Sequence, residues 1–509
     1  MKQTILKYLM IGVLVISSIS CMDKERDLSW ERRHMPKEAY FDFNMIQAVA
    51  LNINYCFKSD NYRVLFDIYD QDPIEYSADG TVSQKDIEPI YRAVTDEEGK
   101  FSGEMNIPAD ISEVWLSSDY LATASPLKLT IDDSRRLSFN QDAYITALRS
   151  QTASKTRGVT VNQHTYLKEW HVLPDADWDN NGRPTNLEPK INIPPADVLY
   201  NIKYVFRKVT VKDENGKSKV LNISQNYPEF FDGSIKMTSD IPIVNPTEES
   251  LVFINSSAAW YNTVGYYTYP TNNPPQSASD IKQIIAFPNT SPVYKTLGVG
   301  ALVCGEEIKL KYWNEETQEY EDKFPAGVTI GWCLQGMGFK SKLTSETDKD
   351  KVGDIIKGMG PRYSTRNLNT NNTQRTISLR DSQSGQIVAV GFEDNIDFDY
   401  ADAIFYIHTS EKNAIDPALP ALPEDPEAIP EQYKISYSGT LAFEDLWPKL
   451  GDYDMNDVMV KYTSTMTRNA LDNRIYEIED KFILQHCGGY LQNGFGYQLH
   501  SSQTAISRV

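Results

Sequence analysis

Two stretches decide the reading of this chain: Phe443 to Tyr462, FEDLWPKLGDYDMNDVMVKY, and its looser echo Phe392 to Ile407, FEDNIDFDYADAIFYI. Each leaves an apolar run, enters a loop dense in carboxylates and exits through a second apolar run, which is the pattern of a strand, an acidic loop and a strand. Set against each other, Glu393 and Asp394 match Glu444 and Asp445, while Asp397, Asp399 and Asp402 match Asp452, Asp454 and Asp457. Five anionic side chains in one loop repel, by roughly 3 kcal/mol per pair at about 5 Å and an effective dielectric near 20. A hard cation offsets that repulsion, because calcium takes about 6–8 oxygen ligands and carboxylates bring both oxygen and charge. The competing reading is an acidic turn that is merely solvated, since Asp favours turns by bonding its own backbone. The recurrence of the pattern favours calcium at both loops.

The chain has 509 residues, 40% of them hydrophobic, enough for several cores and an expectation of about three domains. Thirty tyrosines and long alternating segments favour strands. The expected fold is all-β and multidomain, built of Ig-like or jelly-roll-type β-sandwiches with irregular acidic connectors. A formal net charge of −20 argues against a nucleic-acid binder, which needs clustered Lys and Arg to neutralise phosphates.

Taken in order, residues 1–21 read as an export signal: Lys2 and Lys7 precede a mostly apolar run from Tyr8 to Ile19, and small residues lead to Cys21. The segment is too short to span a bilayer as a helix. It resembles a bacterial lipoprotein signal in which Cys21 is lipidated, with Ser18 where Leu is usual. Residues 22–39 form a charged tether resembling the surface-export signals of Bacteroidetes lipoproteins. Contact with the membrane is then expected through the lipid anchor alone, on the outer membrane and facing outward. Residues 40–150 alternate, with Val49, Leu51, Ile53 and Tyr55 and then Tyr62, Val64, Phe66 and Ile68 as the apolar sets, and predict an Ig-like sandwich. The turn Thr95 to Phe101 resembles that of carboxypeptidase-regulatory-like sandwiches.

Residues 151–200 are a connector holding LPDADWDNNGRPTNLE, Leu173 to Glu188. Counted from Asp177, it satisfies D-x-[DN]-x-[DN]-G-x₅-E with Asp177, Asp179, Asn181, Gly182 and Glu188, and Arg183 would lend its backbone carbonyl. Pro184, Pro189, Pro194 and Pro195 rule out long flanking helices, so an isolated calcium loop is expected, against an Asn-Gly turn as the alternative. Residues 201–412 predict a second sandwich ending in the first acidic hairpin, opened by a hairpin from Ile202 to Ile223 with Tyr204 and Phe206 as apolar marks. Residues 413–432, with Pro417, Pro420, Pro423, Pro426 and Pro430, read as a stiff linker. Residues 433–509 would begin a C-terminal β domain.

With these residues in view the chain resembles the LruC-domain family of bacterial surface lipoproteins. The resemblance is carried by Asp177 to Leu187, Ser257 to Tyr267, Phe287 to Ser291, Phe324 to Trp332 and both acidic hairpins. It implies a surface location and a paired-domain fold rather than a particular activity. Family members usually continue well past the position of Leu499, so the resemblance also implies an incomplete last domain here.

Catalytic signatures are thin. The six histidines form no H-E-x-x-H, and no G-x-S-x-G, Walker loop or C-x-x-C is present. Cys56, Cys304, Cys333 and Cys487 are widely spaced; buried free thiols are expected, with a Cys304–Cys333 pair as the alternative. The expectation is a calcium-stabilised surface lipoprotein that binds a glycan or a surface protein and catalyses nothing. A purely structural envelope protein and a glycan-acting hydrolase are the other readings.

Overall fold

The computed structural model describes residues 46–56, 63–76, 82–154, 164–212, 214–235, 237–293, 300–341, 352–425, 432–446, 454–489 and 491–498. The export signal with Cys21, the tether, Tyr62, Pro426, Pro430, Trp447 and Asp452 lie outside these residues. Strands dominate, in several sheets, and the larger ones form β-sandwiches.

The first unit is a sandwich of three strands against four. Ile46–Asn54 sits at the centre of one sheet, antiparallel to Lys100–Pro108 and parallel to Arg136–Asn140. The other sheet runs Tyr91–Val94, Leu65–Tyr69, Glu113–Ser117, Leu127–Thr130. The alternation expected from sequence is what fills the gap between them: Val49, Leu51, Ile53, Tyr55, Val64, Phe66 and Ile68 are each at most 1% exposed. The Thr95 to Phe101 turn is tight, with Asp96 Oδ1 accepting from the backbone of Glu98 and Lys100 and Gly99 left-handed at φ 72°. Its flanking strands enter opposite sheets, so it is a corner of the sandwich.

The second unit pairs two larger sheets. One is ordered Trp170–His171, Gln283–Phe287, Thr263–Pro270, Val328–Gln335, Ile241–Ile243; the other Glu307–Lys309, Thr247–Asn255, Ala403–Thr409, Ile387–Phe392, Thr376–Arg380. Several of these strands are buried along their whole length. The reason is visible in which core each side chain joins. Along Ala403–Thr409, Ala403, Phe405 and Ile407 enter the core between the sheets, while Ile404 and Tyr406 enter a core on the outer face. The opposite sheet does the same, with Trp332 and Leu334 facing inward and Cys333 packing outward with Trp170, Tyr267 and Phe339. A continuous apolar run is the signature of strands covered on both faces.

What covers the outer face corrects one expectation. Ile202 to Phe206 is not strand: helix α1 spans Gln141–Ser154, and a second helix, α2, spans Ala196–Phe206, with the hairpin Val209–Lys212 and Ser218–Leu221 beginning only after it. Val198, Leu199, Ile202, Val205 and Phe206 recur at helical spacing, and all are buried. Pro194 and Pro195 precede the helix instead of preventing it, because a proline at the N-terminal end removes no intrahelical donor. The α2 residues join one core with both the first sandwich and the Thr376–Arg380 and Ile387–Phe392 strands. Lys203 also pairs with Asp119 at 2.6 Å.

The Pro-rich stretch beginning at Asn413 docks rather than dangling, as far as its described residues reach. Ala414, Ile415, Leu419 and Leu422 are buried, Ile415 bridges Ile243, and the backbone of Asp425 donates to Asn201 Oδ1 at 2.7 Å. Small and apolar residues between the prolines give this extended strap something to bury. Gln432–Phe443, Val458–Asn469 and Ile475–His486 then form a three-stranded antiparallel sheet. It meets the first sandwich where Asn473 exchanges two 3.0 Å hydrogen bonds with the backbone of Val94. Cys56, Cys304, Cys333 and Cys487 are all free thiols.

One buried acid makes the stability of the second sandwich pH-dependent. Glu249, 1% exposed, has its carboxyl held well above the usual range by burial, only partly offset by the Thr247 hydroxyl. The folded form keeps this proton over a window in which the unfolded chain has lost it, so its stabilising effect is complete below about pH 4 and fades as pH rises toward the raised value. Glu249→Gln is expected to match wild type in urea unfolding at pH 4 and to exceed it by about 1–2 kcal/mol at pH 8.

Candidate metal centre

The first acidic loop hangs between the strands Ile387–Phe392 and Ala403–Thr409. Its two ends are fixed by backbone bonds, Glu393 N–H to the Arg375 carbonyl at 3.0 Å and Asp402 N–H to the Phe392 carbonyl at 3.1 Å. Between them Phe398 and Tyr400, both at φ 55°, adopt the left-handed conformation, which costs a non-glycine residue roughly 1 kcal/mol. The compressed turn brings Glu393, Asp397, Asp399 and Asp402 to face one another, with one ligand oxygen from each within 4.8 Å of the others. Among the described residues this is the set of three or more acidic, His or Cys side chains that converges in this way.

The burial of these acids is unusual for carboxylates. Glu393 is 0% exposed, Asp399 2% and Asp402 7%, and only Asp397 reaches solvent. Glu393 Oε1 accepts from the Asn395 backbone at 2.9 Å, but Oε2 is buried without a hydrogen-bond partner. Asp402 Oδ2 accepts from the Asp394 backbone at 2.6 Å, and Asp394 Oδ2 from Asn262 Nδ2 at 2.6 Å. Burial is the main cause that lifts the Glu393 carboxyl above its ordinary range, with the Asp397 charge next. Asp402 is raised in the same way, by burial and then by Asp394 and Glu393, and Asp394 is raised chiefly by burial. Among the described residues, Lys208 Nζ lies 2.8 Å from Asp399 and the Arg375 guanidinium donates to the carbonyl of Asn395. An all-oxygen set of four carboxylates, crowded and partly unpaired, can hold a hard metal ion.

The second loop repeats this construction. Asp445 N–H donates to Asp457 Oδ2 at 2.8 Å, as Asp394 N–H does to Asp402. Met455 is left-handed at φ 57° at the position matching Tyr400. The Met455 backbone donates to Glu444 Oε2 at 3.2 Å. The two loops therefore share the bond that joins their ends and the left-handed residue that follows the second acid of each triplet. Asp452, with Trp447 and Tyr453, lies outside the described residues, and Asp454 is exposed. Here the closing element comes from later in the chain: a side chain at Gly489 would meet Asp457 Oδ1 at 2.8 Å and Asp445 Oδ2 at 2.9 Å, and Asn493 donates to Asp445 at 3.3 Å.

The Asp177 to Glu188 loop is organised differently. Asp179 Oδ1 accepts from the backbone of Asn181 and Arg183, and Asp177 Oδ1 from that of Trp178. The Arg183 carbonyl, expected as a ligand, accepts instead from Asp179 N–H at 3.0 Å, and its guanidinium pairs with Glu306 at 2.8 Å. Gly182 turns at φ 83°, and the Glu188 backbone donates to the Glu307 carbonyl. Asp177, Asp179 and Glu188 form no converging set. The partners of the first loop, Lys208, Asn262 and Arg375, and Gly489 and Asn493 at the second, were not singled out from sequence. Each lies far along the chain from the acids it serves, and no local pattern marks it.

Comparison with known families gives two matches: residues 47–141 to a domain of unknown function, DUF8469, and residues 324–410 to a second domain of unknown function, DUF4114. The first falls on the N-terminal sandwich, and the second runs from Phe324 through the first acidic loop to the end of the strand that leaves it. No curated protein and no solved structure matches the chain.

Proposed function

We propose that this chain is a calcium-stabilised, lipid-anchored surface protein of the LruC type that acts as a binding or adhesion module for a glycan or a surface protein, with no catalysis. The observation that carries the calcium reading is the convergence of Glu393, Asp397, Asp399 and Asp402 around a buried carboxylate oxygen that has no partner. Calcium fits better than magnesium because the set is irregular and rich in carboxylates, whereas magnesium demands near-octahedral geometry and keeps much of its water. Export through the N-terminal signal would place the loop where such modules commonly bind calcium with dissociation constants of about 10⁻⁴–10⁻³ M. The ion acts on rigidity: it ties the two strands leaving the second sandwich and lets the left-handed turn persist.

At tenfold saturation one such site adds about 1.4 kcal/mol. Calorimetric titration of the full-length chain in mild detergent is expected to show calcium binding and a melting temperature several degrees higher than in EDTA, with magnesium much weaker. No binding and identical melting would return the loop to the solvated reading. Glycan capture that depends on calcium separates the binding module from a purely structural role.

A further inference from the structure

We propose that the first acidic loop is an exchange site, in which the ammonium of Lys208 and a divalent cation compete for the same carboxylates. The proposal rests on the reading of Glu393, Asp397, Asp399 and Asp402 as cation ligands. Lys208 Nζ lies 2.8 Å from Asp399 Oδ2 and 3.7 Å from Asp397 Oδ2, so it engages two of the four. It does not reach the innermost one: Glu393 Oε2 stays buried and unpartnered. A lysine thus neutralises the mouth of the cluster and leaves its floor unsatisfied.

The lysine is placed to leave. Its side chain is 55% exposed, so the ammonium can retract into water on its four-carbon stem, and the cost of leaving Asp399, 2% exposed, unpaired is offset when a divalent cation takes its place. Its backbone stays fixed, because it follows directly on α2, whose last residues Val205 and Phe206 are buried. Phe206 packs against Gly391, next to the strand end that opens the loop. A divalent ion bridging Glu393 and Asp402 to the outer acids would sit within about 5 Å of the ammonium, and the two cations repel at that separation. Each therefore weakens the other's hold, by the same factor in both directions. Calcium binding is then coupled to release of the Lys208 side chain, while the segment after α2 keeps its own contact with the loop, from Asn222 Nδ2 to the Asp397 carbonyl at 2.6 Å.

The test is calcium titration of the full-length chain carrying Lys208→Met at fixed ionic strength. One calcium is expected to bind about tenfold more tightly than in wild type. Lys208→Arg, which keeps the charge, should remain near wild type. Adding Glu393→Gln to Lys208→Met should abolish the tightened site, which assigns it to this loop. If wild type binds calcium but Lys208→Met binds equally or more weakly, the exchange is refuted while the cation site stands. Tightening that survives Glu393→Gln refutes it as well. If neither wild type nor Lys208→Met binds calcium, magnesium or manganese, the cation reading falls and the exchange falls with it.

Discussion

Replacing Glu393 by Gln is expected to raise the melting temperature in EDTA and to abolish the increase that calcium gives the wild type. The two halves of this result have one cause. Glu393 is 0% exposed and faces Asp397, Asp399 and Asp402, so its charge is disfavoured by burial first and by its neighbours second. Gln keeps the Oε1 acceptor that the Asn395 backbone uses, and it puts an amide donor where a second carboxylate oxygen met other acids. Without calcium this should stabilise by about 1–3 kcal/mol, the usual scale for relieving an unsatisfied buried polar group. For a unit of this size that is roughly 2–12 °C. With calcium the sign reverses, because a charged ligand has been lost from the floor of the site. Differential scanning calorimetry of both proteins in EDTA and at millimolar calcium checks the crossing. A variant that is less stable than wild type in both conditions would mean that Glu393 serves the fold alone.

How much of this was legible in sequence depends on how local the signal is. Val49, Leu51 and Ile53 announce a half-buried strand because every second side chain meets the core, and the structure buries them as expected. The two acidic loops could be aligned residue by residue, and the bonds from Asp394 to Asp402 and from Asp445 to Asp457 match at those two positions. Helix α2 was missed although its signal was present. Tyr204 and Phe206 alternate like a strand, but Val198, Leu199, Ile202 and Val205 hold helical spacing, and the prolines before them are start signals when read by position. The Asp177 loop satisfies a calcium pattern by residue type, and in the structure Asp177 Oδ1 and Asp179 Oδ1 accept from the loop's own N–H groups while Asn181 Oδ1 is buried without a partner, details that residue identity does not fix. The pairing of Lys208 with Asp399 joins parts of the chain that only the packing of α2 brings together.

Gly391→Ala is expected to be among the most damaging single methyl groups that can be added to the second sandwich. Gly391 lies in a strand, one residue before Phe392 and the loop, and a β-carbon there would overlap the Phe206 ring and lie 2.5 Å from the carbonyl oxygen of Tyr400. A ring can rotate aside, but the Tyr400 carbonyl belongs to the left-handed turn that sets the acids facing each other. Relief therefore requires the loop backbone to move, and overpacking that shifts backbone costs about 1–3 kcal/mol or more. The loss should appear twice, as a lower urea midpoint in EDTA and as loss of calcium binding at this loop. The matching position of the second loop is already Ala442, so binding there should be unaffected and serves as the internal control. If Gly391→Ala loses stability but binds calcium at the first loop as tightly as wild type, the carboxylates do not depend on the Tyr400 turn. The strand end would then merely carry the loop, without shaping its site.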